Sequence, residues 1–254
     1  MKNKSILYGD MDTQTDSKDR TLSARAYRLL RDDIIRGNLR PGTKLKVDKL
    51  SEMYGIGIAP MREALSRLAG DSLARTEGQR GYWVKELSQQ ELDDVNRLRI
   101  LVETEALERS IRNGDAAWRT EVERTAGALF DIEKGILANG ATFDPVSFES
   151  WETANRDFHF ALVSACNSPT FLEMREMLYA RSERYRRVVH RFDPNVYEEH
   201  QRIAAAALGN QIASACRMLE AHIAERGNGV ARVISSIDEV PGTLDKTAKS
   251  GSPR

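Results

Sequence analysis

The sequence predicts a mainly α protein in two parts: three short helices closed by a β-hairpin, then an all-α bundle of six helices. Three observations carry that prediction. Apolar residues recur at helical spacing through most of the 254 residues, strand-like runs cluster at residues 73–85, and charge divides unevenly along the chain. Lys and Arg total 38, as do Asp and Glu. Residues 20–85 nevertheless hold 14 basic against 7 acidic side chains, and residues 86–254 hold 21 against 27. The neutral sum therefore hides a unit at +7 followed by one at −6, which points to a polyanion-binding module at the N-terminal end.

Each element has a local reason. Residues 1–19 are polar and aperiodic and read as a mobile segment. Ala26, Leu29, Leu30 and Ile34 define a first helix over residues 22–36, stopped by Gly37. Pro41-Gly42 marks a turn, and Asp48 is placed to cap a short helix from Lys49 to Tyr54 that Gly55 ends. Pro60 suits the first turn of a third helix running to Ala69. Residues 73–77 and 82–85 then form a hairpin around Gly78–Gly81.

The pattern changes after Lys85. Ser88-x-x-Glu91 is a capping-box signature opening a long helix, and Gly114-Asp115 breaks it and caps the next. Asp144-Pro145, Ser168-Pro169 and Asp193-Pro194 mark three further starts, and Gly209-Asn210 separates the last two helices. The expected domains are a DNA-binding unit over residues 20–86 and an all-α effector-binding and dimerisation unit over 87–235. A mobile tail follows over 236–254.

A helix-turn-helix needs a short helix, a Gly-bearing turn and a second helix whose N-terminal end enters the major groove. DKLSEMYGIGIAPMREALSRLA fits. Leu50, Met53, Ile56, Met61, Leu65 and Leu68 are its expected buried seam. Arg62, Ser66 and Arg67 lie on the outer face, and the hairpin tip with Gln79, Arg80 and Gly81 is a wing for phosphate or the minor groove. The partner is double-stranded operator DNA, approached as a homodimer on two half-sites.

In the second part Asn155 and His159 are four residues apart and share a helix face, while His200 and His222 lie on the last two helices. An antiparallel bundle could bring this Asn and three His together, a set suited to zinc, with nickel or manganese as alternatives. With no carboxylate in the set, the ion's charge would favour an anionic ligand such as a small carboxylate. Asp157 is about 200° from Asn155 round the helix and cannot substitute. Cys166 and Cys216 read as core filling.

GNLRPGTKLKVDKLSEMYGIGIAPMREALSRLAGDSLARTEGQRGYWV resembles the winged helix-turn-helix of GntR-type bacterial transcription regulators over residues 22–85. It departs from the common pattern at Gly57, Ile58 and Ala59, where the family's usual Ser-Arg-Thr stands, so Ile58 replaces a DNA-contacting arginine. ANRDFHFALVSACNSPTFLEM and EEHQRIAAAALGNQIASACRMLEAHI are similar to the FCD effector-binding domain of the FadR-type branch. The helix count suits its six-helix, VanR-like subgroup. This resemblance implies Asn155, His159, His200 and His222 as metal ligands, with Asn155 where an Asp is usual. It also places Arg99 toward the effector pocket, with Arg181, Arg184 and Tyr185 as further candidates.

The resulting expectation is a metabolite-responsive bacterial regulator, a repressor, controlled by a small carboxylate. Two cysteines, no secretory leader and no apolar run near the ~20 residues of a membrane span suggest a cytoplasmic protein without membrane contact. A metal-dependent helical enzyme using the three His is the alternative, but no Walker loop, nucleophile elbow or HExxH motif supports it. A purely architectural DNA binder would leave the long helical part unexplained.

Overall fold

Helix α1, Leu22–Arg36, begins where the Thr21 hydroxyl accepts the Ala24 N–H and ends where Gly37 adopts a left-handed φ of 81°. It opens a computed structural model in which residues 21–238 are described, less the side chains of Gln79 and residues 228–238. The expected N-terminal segment lies outside the described residues. The chain divides into two units between Leu87 and Ser88, one residue beyond the boundary expected from sequence.

In the first unit, β1 (Lys44–Leu45) precedes α2 (Val47–Tyr54) and α3 (Ile58–Gly70). Strands β2 (Ala74–Thr76) and β3 (Tyr82–Val84) form the expected hairpin, joined through a 3-10 turn at Gly78–Arg80. β1 adds to β3, giving an antiparallel sheet of order β1-β3-β2. The pattern around Lys44 is too short to announce a strand; its two residues are fixed by pairing with Trp83 and Tyr82.

Three local expectations are corrected here. α2 starts two residues early, so Asp48 lies in its first turn rather than at its cap. Gly70 ends inside α3, not beyond it. Met53 leaves the predicted seam and is 66% exposed, whereas Leu50, Ile56, Met61, Leu65 and Leu68 are buried. With its neighbours at helical spacing already filling the interface to α3, Met53 falls on the outer side of α2.

The second unit contains six helices among the described residues. They are α4 (Gln89–Asn113), α5 (Ala116–Ala138), α6 (Pro145–Val163), α7 (Pro169–Val189), α8 (Asn195–Leu208) and α9 (Ile212–Asp238). α9 runs past Ser236, where the tail was expected to begin; residues 239–254 lie outside the described residues. Asp144 forms a complete capping box with Ser147 on α6. At α8 the helix starts one residue after Pro194, and Asp193 accepts the Asn195 N–H at 3.0 Å.

The core of this unit includes Leu107, Val122, Leu129, Phe158, Leu162, Ile203 and Leu219. Trp118 ties α5 to α6 by donating its indole N–H to the Ala161 carbonyl at 2.9 Å. Within that apolar packing sit Glu103, Glu133, Glu152, Arg99 and Arg175, each 5% exposed or less. Charges so deep in a core are costly unless paired or used. None of the helices among the described residues is long and apolar enough to cross a membrane.

Candidate functional site

One of these buried charges, Arg99, reaches a cavity of about 40 Å³ that is also lined by Asn96, Asn155, His159, Tyr179 and His222 among others. One ordered water needs roughly 10–15 Å³, so the space suits an ion with a few waters or a small ligand atom group. α6 brings Asn155 and His159 to it and α9 brings His222, while α8 packs His200 against His159 and His222. The ligand atoms of the three histidines lie within 4.8 Å of one another, and all three side chains are buried. The sequence expectation that these helices bring them together is met.

Two carboxylates orient the rings. His200 Nδ1–H donates to Glu133 Oε1 at 2.9 Å, and Trp151 donates its indole N–H to the same oxygen at 3.0 Å. His222 Nδ1–H donates to Glu199 Oε2 at 2.7 Å, and Arg226 holds the other oxygen at 3.1 Å. With Nδ1–H engaged by a carboxylate oxygen, the neutral tautomer of each ring carries its free lone pair on Nε2. Carboxylate-held imidazoles are the usual support of a metal-bound histidine.

The donor set fits a divalent cation. His159 Nε2 is 3.3 Å from His200 Nε2, close to the ~3.4 Å edge of a tetrahedron with bonds near ~2.1 Å. His159 Nδ1 is buried without a partner. The Asn155 amide N–H donates to the Tyr179 hydroxyl at 2.8 Å, leaving Oδ1 as its available acceptor. Burial, then the neighbouring imidazoles, push His159 well below the ordinary histidine range, and burial followed by His200 does the same to His222. Rings kept neutral in this way are ready to ligate.

Arg99 reaches the cavity as expected. Its Nε donates to Glu103 at 2.7 Å and its Nη1 to Ser182 at 3.0 Å, with the guanidinium 5.1 Å from the Tyr179 ring centre. Arg181 and Tyr185 are elsewhere. Arg181 donates to Glu91 at 2.6 Å, and the Tyr185 hydroxyl accepts the Ser88 N–H and meets Glu91, both at 3.2 Å. The Ser88 hydroxyl accepts the Glu91 N–H at 3.2 Å, one half of the expected capping box, and the Tyr185 hydroxyl takes the Ser88 N–H at the start of α4. Neither Arg181, Tyr185 nor Arg184 lines the cavity. His190, which fits no motif, ends α7 in a left-handed conformation and packs 4.0 Å from the Phe148 ring centre.

Sequence reasoning missed Glu133, Glu199, Arg186 and Arg226. Signals were present for some of them. Glu133 falls among Leu129 and Ile136 on an apolar helix face, and Arg226 is one turn beyond His222. Arg186, bound to both oxygens of Glu152 at 3.1 and 2.9 Å, had none, because its partner is on another helix.

In the first unit, Arg62 and Ser66 are exposed one turn apart on α3. Arg67, in the last turn, rests 4.3 Å from the Tyr27 ring centre of α1. Tyr27 is in turn held by Asp71, and burial with that bond pushes its hydroxyl up to about 12. Arg80 is exposed in the wing, and Gly81 at φ 110° gives a turn that a side chain would strain. Gln79's side chain lies outside the described residues.

A winged helix-turn-helix followed by an all-α unit with a buried ligand cavity defines a transcriptional regulator with a sensor. Residues 22–84 match the family described as bacterial regulatory proteins, gntR family, and residues 94–225 match the FCD domain. The chain belongs to the GntR family and carries an FCD effector-binding domain. It is a DNA-binding regulator rather than an enzyme.

It is similar to the HTH-type transcriptional regulator BphR of Paraburkholderia xenovorans, 37% identical over 80% of this chain and 83% of that one. The transcriptional repressor GlaR of Escherichia coli is 32% identical over 79% of this chain and 92% of its own. Among solved structures, E. coli McbR/YncC shares the fold with a TM-score of 0.70 at 21% identity, covering 84% of this chain and 99% of its own.

Proposed function

We propose that this protein is a cytoplasmic, homodimeric repressor whose helical unit holds a divalent metal, zinc foremost, and answers to a small carboxylate. The observation that carries the reading is the buried trio of His159, His200 and His222, two of them braced by Glu133 and Glu199. Asn155 Oδ1 would complete the ligand set. The metal would act as a Lewis acid toward an anionic oxygen of the effector. Arg99, oriented by Glu103 and Ser182, would receive the effector's remaining charge. Repression is favoured by the likeness to GlaR, which is named a repressor.

The charge argument is sharper than the ligand set alone suggested. Glu133 and Glu199 stand one imidazole away from the ion and offset part of its 2+ charge. The cavity's guanidiniums, Arg99, Arg186 and Arg226, are each paired with acids. Selection for an anion would then rest chiefly on the metal, with Arg99 as a further hydrogen-bond donor. In the N-terminal unit Arg62, Ser66, Arg67 and the wing residues Gln79, Arg80 and Gly81 would contact operator DNA.

The direct test is operator affinity of the metal-loaded protein titrated with a panel of small carboxylates. At least one should shift it; no shift with any would remove the carboxylate reading. Glu199→Ala should weaken metal binding by ~10–100-fold, the effect typical of losing a residue that orients a ligand, as measured by competition with a chromogenic chelator.

Acid should destabilise the metal-free protein. His159 and His222 are depressed in the folded state, so below ~6.5 the unfolded chain takes up protons that the folded chain refuses. Their contribution is complete above that value and is lost as pH falls toward their folded pKa. The Tm of metal-free protein should therefore drop between about pH 7 and pH 5, and bound metal should raise the Tm without flattening the drop, because ligated rings refuse protons as well.

A further inference from the structure

The outward face of α3 begins with a residue that neither the core nor electrostatics explains. Ile58 is the first residue of the helix and is 48% exposed. Its neighbour Ala59 is exposed as well. The inward stripe of the same helix, Met61, Ala64, Leu65 and Leu68, is buried completely, so the core is filled without Ile58. A β-branched side chain also brings no advantage in helix propensity. Ile58, Arg62 and Ser66 follow at four-residue intervals and form one outward stripe that starts at the N-terminal tip. The first turn holds no acidic side chain, and Gly57 precedes it as an N-cap with no side chain to offer.

This tip is the part of a helix-turn-helix that reaches base edges. In the major groove the base edges present one apolar group, the C5-methyl of thymine. We infer that Ile58 is a specificity-determining residue: it selects thymine in each half-site by packing on that methyl. Arg62, one turn further along the stripe, supplies the charge that holds the tip in the groove. The inference rests on the operator-binding reading above and adds the base that one named side chain reads.

The test uses the full-length protein and a pool of random-sequence duplexes. After selection, each thymine of the enriched site is replaced singly by deoxyuridine, which lacks only the methyl. At one thymine per half-site the wild-type protein should lose about fourfold in affinity, the scale of one buried carbon group. Ile58→Ala should bind that site more weakly and show no loss on the same replacement. Ile58→Arg should enrich guanine in place of that thymine, since arginine pairs with guanine O6 and N7. Circular dichroism should show both variants folded, as expected for an exposed position. Affinity unaffected by deoxyuridine at every position, or an Ile58→Ala variant as sensitive as wild type, overturns the inference while leaving DNA binding intact. A pool in which no sequence is enriched overturns the DNA-binding reading itself, and this inference with it.

Discussion

His200→Ala should strip the metal from the helical unit and abolish any effector response, while bare DNA binding stays near that of the metal-free wild type. His200 is wholly buried and touches both halves of the site: Nε2 faces His159, and Nδ1 is held by Glu133. Losing the ring removes a ligand outright, so the drop in metal affinity should exceed the ~10–100-fold expected for loss of an orienting carboxylate. It also strands charge. The second oxygen of Glu133 is already buried without a partner, and the first would keep only the Trp151 indole N–H. That should cost ~1–3 kcal/mol of stability, read as a lower Tm in chelator-treated protein. The comparison with Glu199→Ala separates the two effects, because Glu199 is partly exposed and still leaves three histidines.

The second large effect is expected on the other unit. Arg62→Ala should weaken operator binding by ~1–3 kcal/mol if the arginine reads a base, with relaxed preference at one position of each half-site. If it contacts phosphate only, the loss should be uniform across sequences with a shallower salt dependence. Arg67→Ala should have the smaller effect. Its guanidinium rests on Tyr27 at the C-terminal end of α3, away from the tip that enters the groove first. Equal losses from the two substitutions, measured by fluorescence anisotropy at fixed salt, would contradict this ranking.

The fold was readable because its signals are local. Caps and breakers at Thr21–Gly37, Ser88, Asp115 and Asp144–Pro145 set helix ends within the span of the residues that form them. β1 was not readable, since two residues become a strand only by pairing with β3. Met53 was misplaced for a related reason: helical spacing names a face but cannot say how wide a stripe the partner helix covers.

The site was legible to the same depth. The four positions Asn155, His159, His200 and His222 carry their chemistry in their residue types and reach one cavity or cluster. Their supports do not announce themselves. Glu133 and Glu199 act through bonds to residues 67 and 23 positions away, and pairings of that kind are decided by helix packing. Arg181 and Tyr185 show the converse error. Their residue types suit anion binding, yet the fold spends them on Glu91 and Ser88. Counting charge by segment remains informative for the first unit, whose +7 predicts where salt-dependent attraction to DNA arises. For the second unit the sum of −6 says little, because what matters is how its buried acids pair with imidazoles and guanidiniums.

The central claim is that the helical unit is a metal-holding sensor. Native mass spectrometry of the purified full-length protein tests it most directly, after incubation with zinc and removal of the excess. The account predicts one divalent ion per chain in the wild type and none in His200→Ala. Metal-free wild-type protein, or equal metal in the two proteins, would contradict it.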